Sequence, residues 1–403
     1  MTQAIDKRLL IAAHKPFPHS SSNPDNSSTL YPIRHSFWCP SAFNSLAGDK
    51  PLRTSAFAAT DANTPLHPFS FDRRDLRPED VAIDILYCGV CHTDLHMARN
   101  DWGFSAYPVV PGHEIVGRVS AVGSAVSRFK AGDNVAVGTI VDSCMECPNC
   151  RRNEEQMCYK GVTVTYNGQD RVTGEITYGG YSDHIVVREE FVLSVPDGLD
   201  LSRVGPLLCA GITTYSPLRT WNVGPGSRVG VIGLGGLGHL AVKFASALGA
   251  EVTVLTRSAG KAATARELGA DKVLLSTDAK AMEAAAFAFD VIIDTVPYEH
   301  DLGPYLDTLD SDGTLVIAGS LVDTPKFSNL PLISGRRRIA GTPSGGIRQT
   351  QEMLDFCGRK NILPECEMIA MGDIAKAFER LERGDVRYRF VIDMATMPTA
   401  QAA

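Results

Sequence analysis

The chain has no uninterrupted apolar run of the roughly 18 residues that a membrane-spanning helix needs, so no span is expected. It has no secretory leader of the usual kind: the apolar segment Leu9 to Ala13 is too short and no cleavage site follows it. It has no excess of positive charge, since 39 Lys and Arg stand against 46 Asp and Glu, a balance of -7. That acidic balance argues against nucleic acid as the main partner and favours solubility. No internal repeat is present. Residues 1 to about 50 lack a sustained hydrophobic period, and HKPFPHSSSNPDNSSTLYP is rich in Ser, Pro, Asn and His. Such a segment buries too little apolar surface to order itself, so 1–50 reads as a disordered extension. A cytoplasmic protein is expected.

What remains is an ordinary globular composition, 44% hydrophobic and 21% charged. At 403 residues the chain is too long for one core. Val81 to Leu86, Glu114 to Val122 and Asn134 to Val141 read as strands with glycine turns, which suggests a compact β-rich catalytic domain. From 228 to 340 strands and helices alternate. Strands are expected at 228–233, 251–255, 272–275, 290–294 and 313–318, with helices at 236–248 and 259–268 between them. That alternation specifies a parallel, doubly wound sheet. Helices near 347–358 and 372–383 and a strand at 388–393 return to the first domain. The expected division is 51–205 with 342–403 as one domain and 206–341 as the other, an α/β architecture.

Ten cysteines are present, and four of them fall within 15 residues. Cys144, Cys147, Cys150 and Cys158 have the spacing C-x2-C-x2-C-x7-C, which folds back to bring four thiolates around one zinc. A disulfide pair or an iron–sulfur cluster is the competing reading. Four closed ligands leave no place for a substrate, so the expected role is structural. Cys88, Cys357 and Cys366 read as core thiols, and Cys39 lies in the extension.

The stretch Cys88 to Glu114 (CGVCHTDLHMARNDWGFSAYPVVPGHE) offers a thiolate at Cys91 and an imidazole at His113. Cys209, in PLLCAGITTY, offers a second thiolate. Isolated Cys and His residues are more often buried packing groups than ligands. Here His92, Thr93, Asp94 and His96 crowd behind Cys91, and Glu114 follows His113. Two sulfurs and a nitrogen suit zinc with one position left open.

Gly233-Leu234-Gly235-Gly236-Leu237-Gly238 follows the strand RVGVIG and opens a helix. In that context a G-x-G-x-x-G is a dinucleotide site. Gly233 permits the turn, Gly235 lets the backbone approach a pyrophosphate, and Gly238 packs helix on strand, with the helix N-terminus facing the phosphates. After the second strand an NAD site carries an acid for the ribose. Here Thr256, Arg257, Ser258 and Lys261 stand instead, which suits a 2′-phosphate and predicts NADP(H). The bland alternative is that Arg257 and Lys261 are solvated loop charges. Arg336, Arg337 and Arg338 read as a solvated face, and Arg387 as structural or cofactor-facing.

These residues together resemble the zinc-dependent alcohol dehydrogenases of the medium-chain dehydrogenase/reductase superfamily. GVCHTDLH, PGHEIVG, PLLCAGITTY, GLGGLG and DVRYRFVID are similar to its cinnamyl-alcohol-dehydrogenase branch over about residues 52 to 394. The resemblance implies a GroES-like catalytic domain beside a Rossmann domain, two zinc ions per chain and a homodimer. It implies that Cys91, His113 and Cys209 hold a catalytic zinc, that Glu114 transiently joins it, and that the four clustered cysteines hold the structural one. It further implies a proton relay through Thr93 ending at His96, a carboxylate at Asp94 behind the ligand histidine, and a pyrophosphate contact at His92. Thr213 would touch the nicotinamide and Trp102 would line the substrate pocket. The expected activity is NADP-dependent interconversion of a primary alcohol and its aldehyde, aromatic or medium aliphatic. The rivals are an NAD-dependent polyol or formaldehyde dehydrogenase of the same superfamily and a non-catalytic NADPH- or zinc-binding regulator.

Overall fold

The computed structural model describes residues 52–319 and 323–398. The expected disordered extension and Cys39 lie outside them. Two large sheets organise the chain. The first has seven strands, ordered Cys366–Ala370, Arg389–Asp393, Asp80–Val90, Ile115–Val122, Asn134–Val137 and Leu193–Ser194, with His184–Arg188 also on Asp80–Val90. Its neighbours are antiparallel, except that Cys366–Ala370 runs parallel to Arg389–Asp393. The C-terminal strand enters next to the site-bearing strand, with Phe390 opposite Val90 and Ile392 opposite Cys88.

The second sheet has six strands, all parallel, ordered Lys272–Leu275, Glu251–Thr256, Arg228–Ile232, Phe289–Asp294, Leu309–Ile317 and Arg338–Gly341. Val229, Val231, Val252, Val254, Ile292 and Ile293 are fully or almost fully buried. Central strands covered on both faces need such continuous β-branched runs. A mainly antiparallel sheet and the expected parallel sheet of alternating strands and helices are therefore both present.

Three local expectations need correction. The strand foreseen over 134–141 divides at Gly138 and Thr139: Asn134–Val137 stays in the main sheet, whereas Ile140–Asp142 turns to pair with Thr163–Val164. A Cβ on Gly138 would approach the Leu208 carbonyl at 3.3 Å, so the chain crosses there close to another backbone. The helix foreseen at 259–268 begins as a 3-10 turn, Ala259–Lys261, before Ala262–Glu267. The arginine run is not one solvated face: Arg336 pairs with Asp312 at 2.6 Å, but Arg337 is buried with its guanidinium 5.2 Å from the Phe287 ring centroid.

Helix Ile347–Lys360 packs its buried Met353, Leu354 and Cys357 into the same core as Ile212, Tyr215 and Leu240. It therefore bears on helix Ala210–Thr220 and on the second sheet's helix layer. The strands Cys366–Ala370 and Arg389–Asp393 return to the first sheet. Among the described residues, no helix is long and apolar enough to cross a membrane.

Candidate active site

Cys91 sits at the N-terminus of the short helix His92–Ala98, directly after the strand Asp80–Val90. His113 and Glu114 immediately precede the strand Ile115–Val122. Cys209 precedes the helix Ala210–Thr220. The fold brings one donor atom from each of Cys91, His113, Glu114 and Cys209 within 4.8 Å of the others. The Cys91 and Cys209 sulfurs are 3.9 Å apart. Two thiolates each about 2.3 Å from one tetrahedral ion would be separated by about this distance, so the residues fit zinc. The two thiols titrate together: Cys209 hydrogen-bonds to Cys91, which pulls the Cys91 pKa well down and pushes that of Cys209 well up. A cation between two sulfurs removes that competition.

Asp94 organises the site from behind. Its carboxylate is fully buried and accepts from Cys91 N at 2.9 Å, Gly112 N at 3.0 Å, His113 Nδ1 at 3.1 Å and Tyr181 Oη at 3.2 Å. The bond to Nδ1–H leaves the His113 Nε2 lone pair for a metal. Burial works against a charged His113, yet the Asp94 carboxylate lifts its pKa well above the ordinary value. Glu114 is also fully buried. Arg389 Nη2 donates to its Oε1, whereas Oε2 has no partner among the described residues. Burial pushes the Glu114 pKa up to about 7 against the pull of Arg389. Gly89 makes room for this carboxylate, since a Cβ there would lie 1.9 Å from Glu114 Oε2.

Thr93 Oγ1 lies 3.6 Å from Cys91 Sγ. His96, one turn on, donates from Nδ1 to Asp101 Oδ2 at 2.7 Å, and its ring lies 5.3 Å from Trp102. Trp102 stacks on Phe104 with ring centroids 5.8 Å apart. His92 is half-buried with its ring 6.2 Å from that of His96, and burial lowers its pKa. Thr213 occupies the first turn of the Cys209 helix, where its N–H donates to Cys209 O at 3.0 Å.

The sequence did not point to Arg389, Asp101 or Tyr181. In DVRYRF it is Arg387 that reads as structural or cofactor-facing, but Arg387 is exposed with its guanidinium 3.7 Å from Glu267, while Arg389 is buried beside Glu114. The signal available was an arginine directly before the apolar run Phe390 to Ile392 of the strand Arg389–Asp393.

The glycine loop fits a dinucleotide. Gly233 has φ +86, and a Cβ on Gly238 would lie 2.3 Å from Gly233 O, so helix and turn meet only without side chains. Over Gly235 there is open space within 4 Å. A Cβ on Gly236 would lie 3.1 Å from the Arg389 side chain, so the loop leans on the strand that serves the metal site. Beneath it His239 is fully buried, with Nδ1 3.0 Å from Gly235 O and its ring stacked 4.7 Å from Tyr388. Leu234 O accepts from Lys261 Nζ at 3.2 Å, and Thr256 Oγ1 accepts from Ser258 N at 3.2 Å. Arg257 Nη2 donates to Tyr298 Oη at 2.8 Å. Leu237 caps the helix Gly238–Ala247.

Some distance along the chain, Cys144, Cys147, Cys150 and Cys158 also present sulfurs within 4.8 Å of one another, and all four are free thiols. Glu155 Oε2 accepts from Ile347 N at 3.0 Å, tying this lobe to the helix Ile347–Lys360.

Two family models match the chain: an alcohol dehydrogenase GroES-like domain over residues 77–197 and a zinc-binding dehydrogenase over 236–359. The NADP-dependent alcohol dehydrogenase C 1 of Mycolicibacterium smegmatis is 51% identical over 344 residues, 85% of this chain and 98% of that protein. The chain belongs to the zinc-containing alcohol dehydrogenases of the medium-chain dehydrogenase/reductase superfamily. A probable formaldehyde dehydrogenase of Bacillus subtilis is 50% identical to this alcohol dehydrogenase over 345 residues, 86% of this chain and 99% of that protein. A solved cinnamyl alcohol dehydrogenase of Sorghum bicolor superposes with a TM-score of 0.83 at 45% identity, covering 87% of this chain and 100% of that one. The two clusters give this alcohol dehydrogenase donor sets for two zinc ions, one closed by four sulfurs and one with mixed donors.

Proposed function

We propose that this alcohol dehydrogenase uses NADP(H) and works mainly as a reductase of aromatic and medium aliphatic aldehydes. When bound, zinc supplies Lewis acidity to the substrate oxygen, and the nicotinamide takes or gives the hydride. Cys91, His113 and Cys209 would hold the zinc, with Glu114 as the nearby fourth donor. The Thr93 hydroxyl both donates and accepts, so it passes the alcohol proton outward. His96 receives that proton, and Asp101 fixes its ring by binding Nδ1–H. Asp94 keeps His113 in the tautomer a metal needs. His92 would contact the pyrophosphate and Thr213 the nicotinamide, and Trp102 with Phe104 would supply an aromatic wall for the substrate.

The observation that carries the cofactor reading is the state of the two cations after the second strand. Arg257 and Lys261 rest on neutral oxygens, the Tyr298 hydroxyl and the Leu234 carbonyl. Among the described residues neither lies within ion-pair distance of a carboxylate, although Arg228, Arg336 and Arg380 all do. Their charge stays available for a 2′-phosphate. The relative named as NADP-dependent supports the same reading.

The test is a panel of cinnamyl, benzyl, medium aliphatic and C1 aldehydes, assayed with NADPH and NADH before and after chelation. Replacing Arg257 and Lys261 by Ala should raise the Michaelis constant for NADPH at least tenfold and leave that for NADH nearly unchanged. Equal effects would end the NADP assignment. The relative named a probable formaldehyde dehydrogenase favours a second substrate reading, and the C1 arm of the panel decides between them.

The homodimer is proposed on the same footing. The strand Arg338–Gly341 ends the parallel sheet, and nearby Leu330 and Ile333 are 69% and 75% exposed. An open edge beside exposed aliphatic side chains is a surface that a second copy would cover. Sedimentation at micromolar concentration reads the mass directly.

A further inference from the structure

We infer that Tyr298 is a cofactor-specificity residue: it holds the Arg257 guanidinium in place for the 2′-phosphate. The inference rests on the NADP reading above. Tyr298 is 50% exposed, so its ring and hydroxyl are open only in part. Its hydroxyl accepts from Arg257 Nη2 at 2.8 Å, and the guanidinium carbon lies 5.5 Å from its ring centroid. Two different interactions therefore fix the same group, one through the oxygen and one through the ring face.

The topology gives the contact its meaning. Arg257 follows the strand Glu251–Thr256, and Tyr298 follows the strand Phe289–Asp294. These strands flank Arg228–Ile232, whose end becomes the glycine turn. The contact thus spans the crevice where a dinucleotide's ribose and phosphates bind in such folds. The Tyr298 loop is itself anchored. Its carbonyl accepts a hydrogen bond from His300 Nδ1 at 3.0 Å.

The chemistry of the holding partner matters. A carboxylate would fix Arg257 more firmly but would neutralise the charge that an anion needs. A phenol fixes orientation and leaves the charge intact. It also occupies one N–H of five, so the remaining donors can meet two phosphate oxygens. A free arginine would lose its rotamer freedom on binding, and a restrained one has less to lose.

The test measures binding of the full chain to adenosine 2′,5′-bisphosphate and to 5′-ADP by calorimetry, with no turnover involved. Tyr298→Leu should weaken the bisphosphate about fivefold, equivalent to about 1 kcal/mol, and leave 5′-ADP unchanged. Tyr298→Phe, which keeps the ring, should fall between Tyr298→Leu and the parent. In an Arg257→Ala background Tyr298→Leu should have no further effect. Equal weakening of both ligands would make Tyr298 an adenosine contact and overturn the inference, as would tighter binding of the bisphosphate. A parent protein that binds both ligands equally well would refute the NADP reading. A parent that prefers the bisphosphate and loses the preference with Arg257→Ala but not with Tyr298→Leu would refute only the role of Tyr298.

Discussion

Replacing Asp94 by Asn separates the charge of this carboxylate from its shape. The native oxygens accept four hydrogen bonds: Oδ1 from Gly112 N and His113 Nδ1, Oδ2 from Cys91 N and Tyr181 Oη. The amide keeps one acceptor oxygen, which would stay with Gly112 and His113. Its nitrogen would then face Cys91 N and the Tyr181 hydroxyl. A hydroxyl can turn to accept, but a backbone N–H cannot. One buried donor is left facing another, and the two retained bonds lose their ionic character. A hydrogen bond to a charged group contributes about 1.5–3 kcal/mol, and a buried orphan costs about 1–3 kcal/mol. We expect Asp94→Asn to lose about 3 kcal/mol of stability to chemical denaturation. The Cys91 and His113 positions both depend on this group, so zinc affinity should fall about 10- to 100-fold. The assay is zinc retained per chain against a graded competing chelator, together with the denaturation midpoint. Parental zinc retention with an unchanged midpoint would refute this account of the site.

Three further outcomes follow from the same geometry. Thr93→Val should keep zinc content near two per chain and lose about 10²- to 10⁴-fold in turnover, whereas a near-parental rate removes Thr93 from the relay. Cys147→Ser should leave close to one zinc per chain by elemental analysis and lower the melting temperature; two retained ions would contradict the four-sulfur site. His239 is held neutral, its pKa pushed down to about 3 by burial, against an ordinary value of 6.5. The unfolded chain therefore binds the extra proton below about pH 6.5, and stability from this group is lost as pH falls toward 3. Between pH 7 and 5 the parent should lose about 2 kcal/mol more than His239→Phe. Parallel pH profiles from denaturation midpoints would contradict that.

What could be read from the chain was what is local or bears a chemical signature. The glycine turn and its flanking strand lie within eleven neighbouring residues and need no distant partner. The four-cysteine lobe is likewise self-contained. Cys209 was legible as a ligand through the family resemblance of PLLCAGITTY; spacing alone says nothing about a residue 118 positions from Cys91. Arg389 was hidden for the opposite reason. An arginine reads as surface unless its counter-charge is known, and Glu114 lies 275 positions away. Asp101 was hidden because the turn after the helix His92–Ala98, not a periodic pattern, brings it to His96. The break at Gly138 depends on the approach of the Leu208 carbonyl, which no strand propensity encodes.

The Arg389–Glu114 pair also has a consequence for how the molecule is made. Glu114 is translated early and Arg389 late, so through most of synthesis the carboxylate awaits its only cationic neighbour within ion-pair distance among the described residues. A nascent chain that packed the first sheet too soon would enclose a carboxyl without its cation, which must either take up a proton or stay charged at a cost of several kcal/mol. Premature closure is thereby discouraged, and a product truncated before Arg389 would be left with a faulty interior for proteases to recognise.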